Sequence, residues 1–197
     1  MSSKGILVKS YSLHFKSLDM LLLLNISMKY LIKTPGRTGS HILTSYLRNN
    51  NIKCKHCQEA WLPDDTSNWV FINSKRRNWW DMVCSRVVTS HTKEYGPYTS
   101  QELSIKTDIE YLLDSFAYTK FRYDLHDAQQ NNYNWAKTIT VYYEDILTNV
   151  NILKQIGDFD TSLAIEEKYT SPYVFSEVIE NYNNLKTQFE NIIKDLV

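Results

Sequence analysis

The chain has 197 residues, of which 43% are hydrophobic, 13% aromatic and 22% charged, a globular composition long enough for one domain with its own core. Its 22 Lys and Arg balance 22 Asp and Glu, so no net field draws it to nucleic acid or to an anionic membrane, and any anion site must be local. Three cysteines, an odd number, argue against a disulfide framework and fit a reducing, cytoplasmic setting, while 5 Gly and 4 Pro exclude collagen-like and low-complexity classes.

In chain order, the apolar run around Leu21–Leu24 is too short to span a bilayer and is broken by Asn25; no small-residue cleavage site follows it. Residues 1–27 read as an N-terminal extension of low order, and residues 28–197 as a single domain. Lys29–Lys33 is β-prone and runs into the turn Thr34-Pro35-Gly36. Residues 40–50 then carry Ile42, Leu43, Tyr46 and Leu47 on one helical face, ended by three asparagines. Ile52–Cys57 is a second strand and Trp69–Asn73 a third, followed by a helix over 79–94 with Trp80, Val83, Cys84, Val87 and Val88 inward.

Thr99-x-x-Glu102 has the form of a capping box opening a long helical region to about Asp127. Thr138–Tyr143 alternates as a fourth strand. Helices near 145–157 and 174–196 complete the pattern, the last packing Val178, Ile179, Leu185, Phe189, Ile192 and Ile193 on the sheet. Strand and helix alternation predicts an α/β fold of three layers, a mainly parallel sheet flanked by helices.

Ligands of a parallel sheet bind beyond the carboxyl ends of its strands. Two loops there carry anion chemistry. In Thr34-Pro35-Gly36-Arg37-Thr38-Gly39-Ser40-His41, two glycines let successive amides converge at a helix N-terminus. Arg37 adds a permanent forked donor, and Thr38 and Ser40 add hydroxyls. A plain glycine turn capped by Ser40 is the structural alternative. The second loop is Ser74-Lys75-Arg76-Arg77-Asn78-Trp79-Trp80-Asp81, with Asn78, Asp81 and Ser85 on one face of the following helix. Its structural alternative is a solvated charge run. Cys54-Lys-His-Cys57 lacks the second pair of a zinc ribbon, so incidental thiols fit it better than metal or redox chemistry. The tyrosines and Trp135 between 95 and 143 suit either an acceptor cleft or core.

These loops resemble the sulfotransferases that use 3′-phosphoadenosine 5′-phosphosulfate (PAPS). The family's 5′-phosphosulfate loop is similar to Thr34–His41, with Gly36 as one extra residue between Pro35 and Arg37. Its 3′-phosphate motif is similar to Arg77-Asn78-Trp79-Trp80-Asp81 with Ser85 eight residues after the arginine, and its strand ending Tyr-Glu-Asp resembles Tyr143-Glu144-Asp145. The three motifs stand in family order over about 29–158. One element departs, since no late basic glycine-rich loop follows Asp158.

The resemblance implies a P-loop-like sulfotransferase architecture. It also implies sulfuryl transfer from PAPS, without a metal, to a hydroxyl of a carbohydrate or small molecule. Gly36, Arg37, Thr38, Gly39, Ser40 and His41 would hold the 5′-phosphate end. Arg77 and Ser85 would hold the 3′-phosphate, and Tyr143 the base. Arg37 stands where many members have Lys and, being always charged, would stabilise the leaving group rather than donate a proton. Glu59 stands where bacterial members place a general base. His56 is the alternative base, since imidazole titrates near neutrality, and His91 a third. Oligomeric state and acceptor identity are not legible.

Two other functions stay open. A P-loop kinase or NTPase is suggested by the strand end Val141–Asp145, although Gly36 and Gly39 are too close for its phosphate motif and no Lys follows Gly39. The other is a non-catalytic nucleotide-binding relative.

Overall fold

The computed structural model describes residues 28–37, 39–58, 60–92, 103–163 and 174–197. The predicted extension 1–27, the loop residue Thr38, the proposed base Glu59 and the capping box at Thr99 lie outside the described residues. Four strands, β1 (Lys29–Lys33), β2 (Cys54–Cys57), β3 (Trp69–Lys75) and β4 (Lys137–Tyr142), form one sheet in the order β2-β1-β3-β4. Every pairing is parallel, with Ile32 between His56 and Ile72, and Ile72 beside Ile139. Parallel strands need crossovers: α1 (Ser40–Asn49) links β1 to β2, α2 (Trp79–Thr92) and α3 (Ile109–Asn132) lie between β3 and β4, and α4 (Tyr143–Thr148) follows the last strand. The predicted α/β sheet flanked by helices is therefore present.

The strand sequences explain the burial. Leu31, Ile32, Phe71 and Ile72 are fully buried, as continuous apolar runs in a parallel sheet must be. Alternation sends Tyr30, Ile32, Val70, Ile72, Ile139 and Val141 to one face, where they meet Ile42, Leu43, Tyr46 and Leu47 of α1. Leu31 and Phe71 point to the other face and pack with Trp135, so Trp135 is core rather than cleft. The same alternation places Cys54 with the first face and Cys57 with the second. The C-x-x-C spacing on a strand thus separates the thiols, and among the described residues no cluster of three or more metal-ligating side chains occurs.

Several predicted boundaries move. Strand β3 continues two residues beyond Asn73, to Lys75. Helix α3 opens at Ile109, because the Asp108 carboxylate caps the Tyr111 amide at 2.8 Å, and runs past Asp127 to Asn132. The predicted 145–157 helix is α4 followed by a 3-10 turn at Val150–Gln155, broken where the Asn149 side chain caps the Asn151 amide. The predicted last helix divides into α5 (Phe175–Val178) and α6 (Tyr182–Ile193), since Ile179 bridges to Ile105 and Asn181 takes a left-handed φ of 57°.

Nor does α6 pack on the sheet. Leu185, Phe189 and Ile193 join Trp80 of α2 and Phe116 of α3 in a separate cluster, and Ile192 stays 46% exposed. No described helix is long and apolar enough to cross a membrane.

Phe189 is fully buried between Trp80 and Phe116, with ring centroids 5.5 and 5.8 Å away. Phe189→Ala should cost about 3–5 kcal/mol of unfolding free energy in urea, whereas Ile192→Ala should cost under about 1 kcal/mol. Equal effects would show that α6 is not anchored through this cluster.

Candidate functional site

Parallel register brings the carboxyl ends of β1, β3 and β4 to one edge, and the loops and helix starts that follow them meet there. After β1, the backbone turns left-handed at Gly36 (φ 89°), Arg37 (60°) and Gly39 (76°). Alternation of left-handed residues with the start of a helix is the backbone form that gathers amides toward an anion. The Gly36 amide donates to Thr34 Oγ1 at 3.0 Å, which fixes the turn. Helix α1 starts at Ser40 with no side-chain cap and no acidic residue in its first turn, so Ser40 is not the cap of a plain glycine turn.

Gly39 is required twice over. Its φ is one that L side chains rarely adopt, and a Cβ there would overlap the Tyr143 ring. Gly36 has the same conformational demand but a softer neighbour, the Gln58 side-chain amide 3.6 Å from the Cβ position.

Helix α2 carries the second element. Asn78 and Asp81 cap each other: the Asp81 amide donates to Asn78 Oδ1 at 3.0 Å and Asn78 Nδ2 donates to Asp81 Oδ2 at 2.8 Å. They are structural, which leaves Ser85 as the residue of that face that looks outward to the glycine loop. Arg37 Nε donates to Ser85 Oγ at 2.7 Å. Arg86, next on α2, donates to the Pro35 carbonyl at 3.3 Å. The two predicted anion loops are therefore neighbours, joined through a loop cation and a helix hydroxyl.

Arg77 lies differently. Its guanidinium grips both Asp145 oxygens, at 2.5 and 2.9 Å, and covers the Tyr142 ring at 3.9 Å. That pairing raises the arginine's pKa and lowers that of Asp145. The amides of Arg77 and Asn78 both donate to the Glu144 carboxylate at 3.0–3.1 Å. The structure thus brings Arg37, Gly39, Ser85 and Tyr143 together but turns Arg77 to a carboxylate of β4's end. Tyr143 packs on Gly39 and lies under the Arg76 guanidinium at 4.8 Å.

Arg76 and Glu144 stand inside the predicted motifs, but the sequence assigns neither of them a role. Arg76 is the more buried arginine, 3.4 Å from Asp81 and 3.7 Å from Glu144. A signal existed: a basic triplet runs off the end of β3 and an acidic pair follows the end of β4, and with Lys75 in register with Tyr142 the two meet. Every cation of Lys75-Arg76-Arg77 is paired; Lys75 and Arg76 are largely buried, and Arg77 is exposed beside its partner.

Of the predicted bases, His56 sits on β2 with its ring 6.2 Å from that of His41, the second residue of α1. Burial and the neighbouring Arg37 and Arg48 lower the His41 pKa; burial, His41 and Arg48 lower that of His56. Both imidazoles are neutral near pH 7, and His56 Nε2 is buried with no hydrogen-bond partner among the described residues. His91 bonds the Val87 carbonyl in the last turn of α2, about 18 Å along the helix from its start, and is no candidate. A shallow cavity of about 500 Å³ lined by Arg48, Ile52 and Cys54 opens at the amino end of β2, away from the loop edge.

Beneath α3 the strand ends are polar. Lys33 is fully buried, donates to the Trp61 carbonyl at 2.5 Å and lies 3.9 Å from Cys57 Sγ. Burial holds its pKa below the usual range. His126 of α3 is fully buried too, and burial with Lys33 and Arg122 nearby pushes its pKa down to about 4. Compared with known proteins, the chain matches no family model, no curated protein and no solved structure.

Two outcomes test this geometry. Gly39→Ala, in conflict with both its φ and Tyr143, should destabilise by about 2–3 kcal/mol, and Gly36→Ala by only about 1 kcal/mol; thermal unfolding of the two variants reads the difference. His126, as a base with a lowered folded pKa, takes up its proton first in the unfolded chain. Stability should therefore fall as pH drops from about 6.5 to about 4, by up to about 3 kcal/mol. His126→Gln should flatten urea unfolding free energy against pH in that window; an unchanged slope would place the histidine in water.

Proposed function

We propose that the chain is a sulfotransferase that moves a sulfuryl group from PAPS to a hydroxyl of a carbohydrate or small molecule, on a P-loop-like sulfotransferase architecture. The 2.7 Å bond from Arg37 to Ser85 carries this reading, because it sets the two phosphate-binding motifs of the resemblance side by side on one strand edge. The left-handed turn and uncapped start of α1 fit a 5′-phosphate: amides, helix dipole and Arg37 all favour an anion there. Ser85 suits the 3′-phosphate, at the expense of its bond to Arg37. Arg77 can join it only by leaving Asp145.

The donor supplies an activated sulfuryl group, whose S–O bond to the 5′-phosphate breaks as the acceptor oxygen bonds to sulfur. Arg37 stabilises the negative charge left on that phosphate oxygen, and as a guanidinium it keeps its own proton. Tyr143, held between Gly39 and Arg76, offers a ring face to the adenine. The acceptor's proton goes to Glu59, or to His56, which its lowered pKa leaves neutral and whose buried Nε2 has no hydrogen-bond partner among the described residues. A kinase reading needs a carboxylate at the end of β4 for magnesium. Glu144 and Asp145 are engaged with the amides of Arg77 and Asn78 and with the Arg77 side chain, which weighs against it.

Isothermal titration without magnesium should give a micromolar or tighter response to adenosine 3′,5′-bisphosphate, weakened about tenfold or more in Arg37→Ala and in Ser85→Ala. Labelled sulfate should pass from PAPS to one member of a glycan and phenol panel, and His56→Ala should lower the rate if that residue is the base. Magnesium-dependent ATP binding with no response to the bisphosphate would sink the proposal.

A further inference from the structure

The segment that follows β2 runs over the surface, with Gln58, Ala60 and Trp61 all exposed. Carbonyls of such a loop ordinarily point to water, which satisfies them. Here three of them turn inward, each to a side chain of α3 or β1. The Gln58 carbonyl accepts from Arg122 Nη1 at 2.8 Å, the Ala60 carbonyl from Gln129 Nε2 at 2.9 Å and the Trp61 carbonyl from Lys33 Nζ at 2.5 Å. The arrangement is costly. Lys33 and Gln129 are buried, burial works against the lysine's charge, and Gln129 Oε1 has no hydrogen-bond partner among the described residues. Water would serve the carbonyls equally well, so what these bonds add is a fixed position for the loop. The donors are themselves fixed: Arg122 and Gln129 stand seven residues apart on one face of α3, and the Gln129 carbonyl accepts at 2.9 Å from the indole of Trp135, which packs on Phe71.

The residue so placed against the glycine turn is Gln58. Both ends of its side-chain amide lie 3.6 Å from where a Gly36 side chain would begin, so the amide faces the bare backbone of that turn. The next residue of the turn is Arg37, the cation that neutralises the leaving oxygen, and a group transferred from that oxygen comes within side-chain reach of Gln58. A primary amide offers N–H donors without a charge. Sulfuryl oxygens accept from such a donor, whereas a carboxylate in the same place would repel them. We propose that Gln58 is a catalytic residue that donates from Nε2 to the sulfuryl group and holds its sulfur in line with the acceptor oxygen, and that Arg122 is the positioning residue that keeps Gln58 there. The assignment rests on the sulfuryl-transfer reading. As the acceptor oxygen bonds to sulfur, the S–O bond to the phosphate breaks, its electron pair stays on the phosphate oxygen beside Arg37, and the acceptor's proton goes to Glu59 or His56. Gln58 gains and loses no proton; its contribution is orientation.

The experiment follows transfer of labelled sulfate from PAPS by the full chain, to the acceptor that the glycan and phenol panel identifies, beside titration with adenosine 3′,5′-bisphosphate, which has no sulfuryl group. Gln58→Ala should lower kcat about tenfold or more and leave the bisphosphate affinity within about twofold of the wild type. Gln58→Glu should be slower still at neutral pH, and its rate relative to the wild type should rise as pH falls toward about 4–5, where the introduced carboxyl protonates, while the Gln58→Ala ratio stays flat. Arg122→Leu should lower kcat several-fold, and Arg122→Lys less, because an ammonium still offers the Gln58 carbonyl a donor. Since Arg122 acts through Gln58, Arg122→Leu in a Gln58→Ala chain should add no further loss. Melting temperatures near the wild-type value establish that the variants are folded. Transfer indifferent to Gln58→Ala, a bisphosphate affinity that falls in step with the rate, or losses that multiply in the double variant would overturn the assignment and leave sulfuryl transfer standing. A wild-type chain that neither binds the bisphosphate nor transfers sulfate would overturn sulfuryl transfer and this role with it.

Discussion

Parallel pairing of β1, β3 and β4 in one register is the constraint from which the site follows. Because all three strands run the same way, the glycine loop, the start of α2 and the start of α4 emerge at one edge. Antiparallel pairing would send one of them to the opposite end of the sheet, more than a strand length away. Everything at the edge is then short-range: the Arg37 side chain reaches Ser85, Tyr143 lies on Gly39, and Glu144 reaches the first amides of α2. None of these contacts needs a long loop, since each bridges residues that the sheet has already placed side by side.

Electrostatics then divides that edge. At the β3–β4 side, three cations are matched by four carboxylates, and both the Glu144 oxygens and the Asp145 oxygens are in use. Near the start of α1 the balance is reversed: a helix N-terminus without acidic residues, three left-handed backbone positions, and an Arg37 that bonds a hydroxyl and has no carboxylate within ion-pair distance among the described residues. A chain of zero net charge can thus hold a strongly positive corner without a positive surface overall. The neutral total and the local excess describe the same molecule at different length scales.

This arrangement was partly legible in the sequence. The strand cores, the faces of α1 and α2 and the loop edge follow from period 2, period 3.6 and the rule for parallel sheets, and these are local signals. What the sequence hid was partner choice across the sheet. Arg76, Arg77 and Arg37 look alike in one dimension, but at the end of β3 Lys75 turns to Asp127 of α3, and in the loop after it Arg76 lies over Tyr143 while Arg77 meets Asp145. Asn78 and Asp81, with the spacing of a ligand face, instead satisfy each other as a cap. The break between α5 and α6 was also invisible, since it depends on a bridge from Ile179 to Ile105, far away in sequence.

The buried polar layer under α3 tells where stability has yielded. Lys33 and Asn73 are fully buried toward the strand ends, and His126 beside them has no hydrogen-bond partner among the described residues at either ring nitrogen. Asn73 Oδ1 and Gln129 Oε1 share that condition, each at a cost of about 1–3 kcal/mol. Apolar residues of the same size would pack there at no such cost, as they do one turn of the strand earlier at Leu31 and Phe71. The fold tolerates the layer because its large apolar clusters lie elsewhere, under α1 and between α2, α3 and α6. Polarity confined to the strand ends, on the edge where the loops meet, is what a site imposes on a sheet and what packing alone would remove.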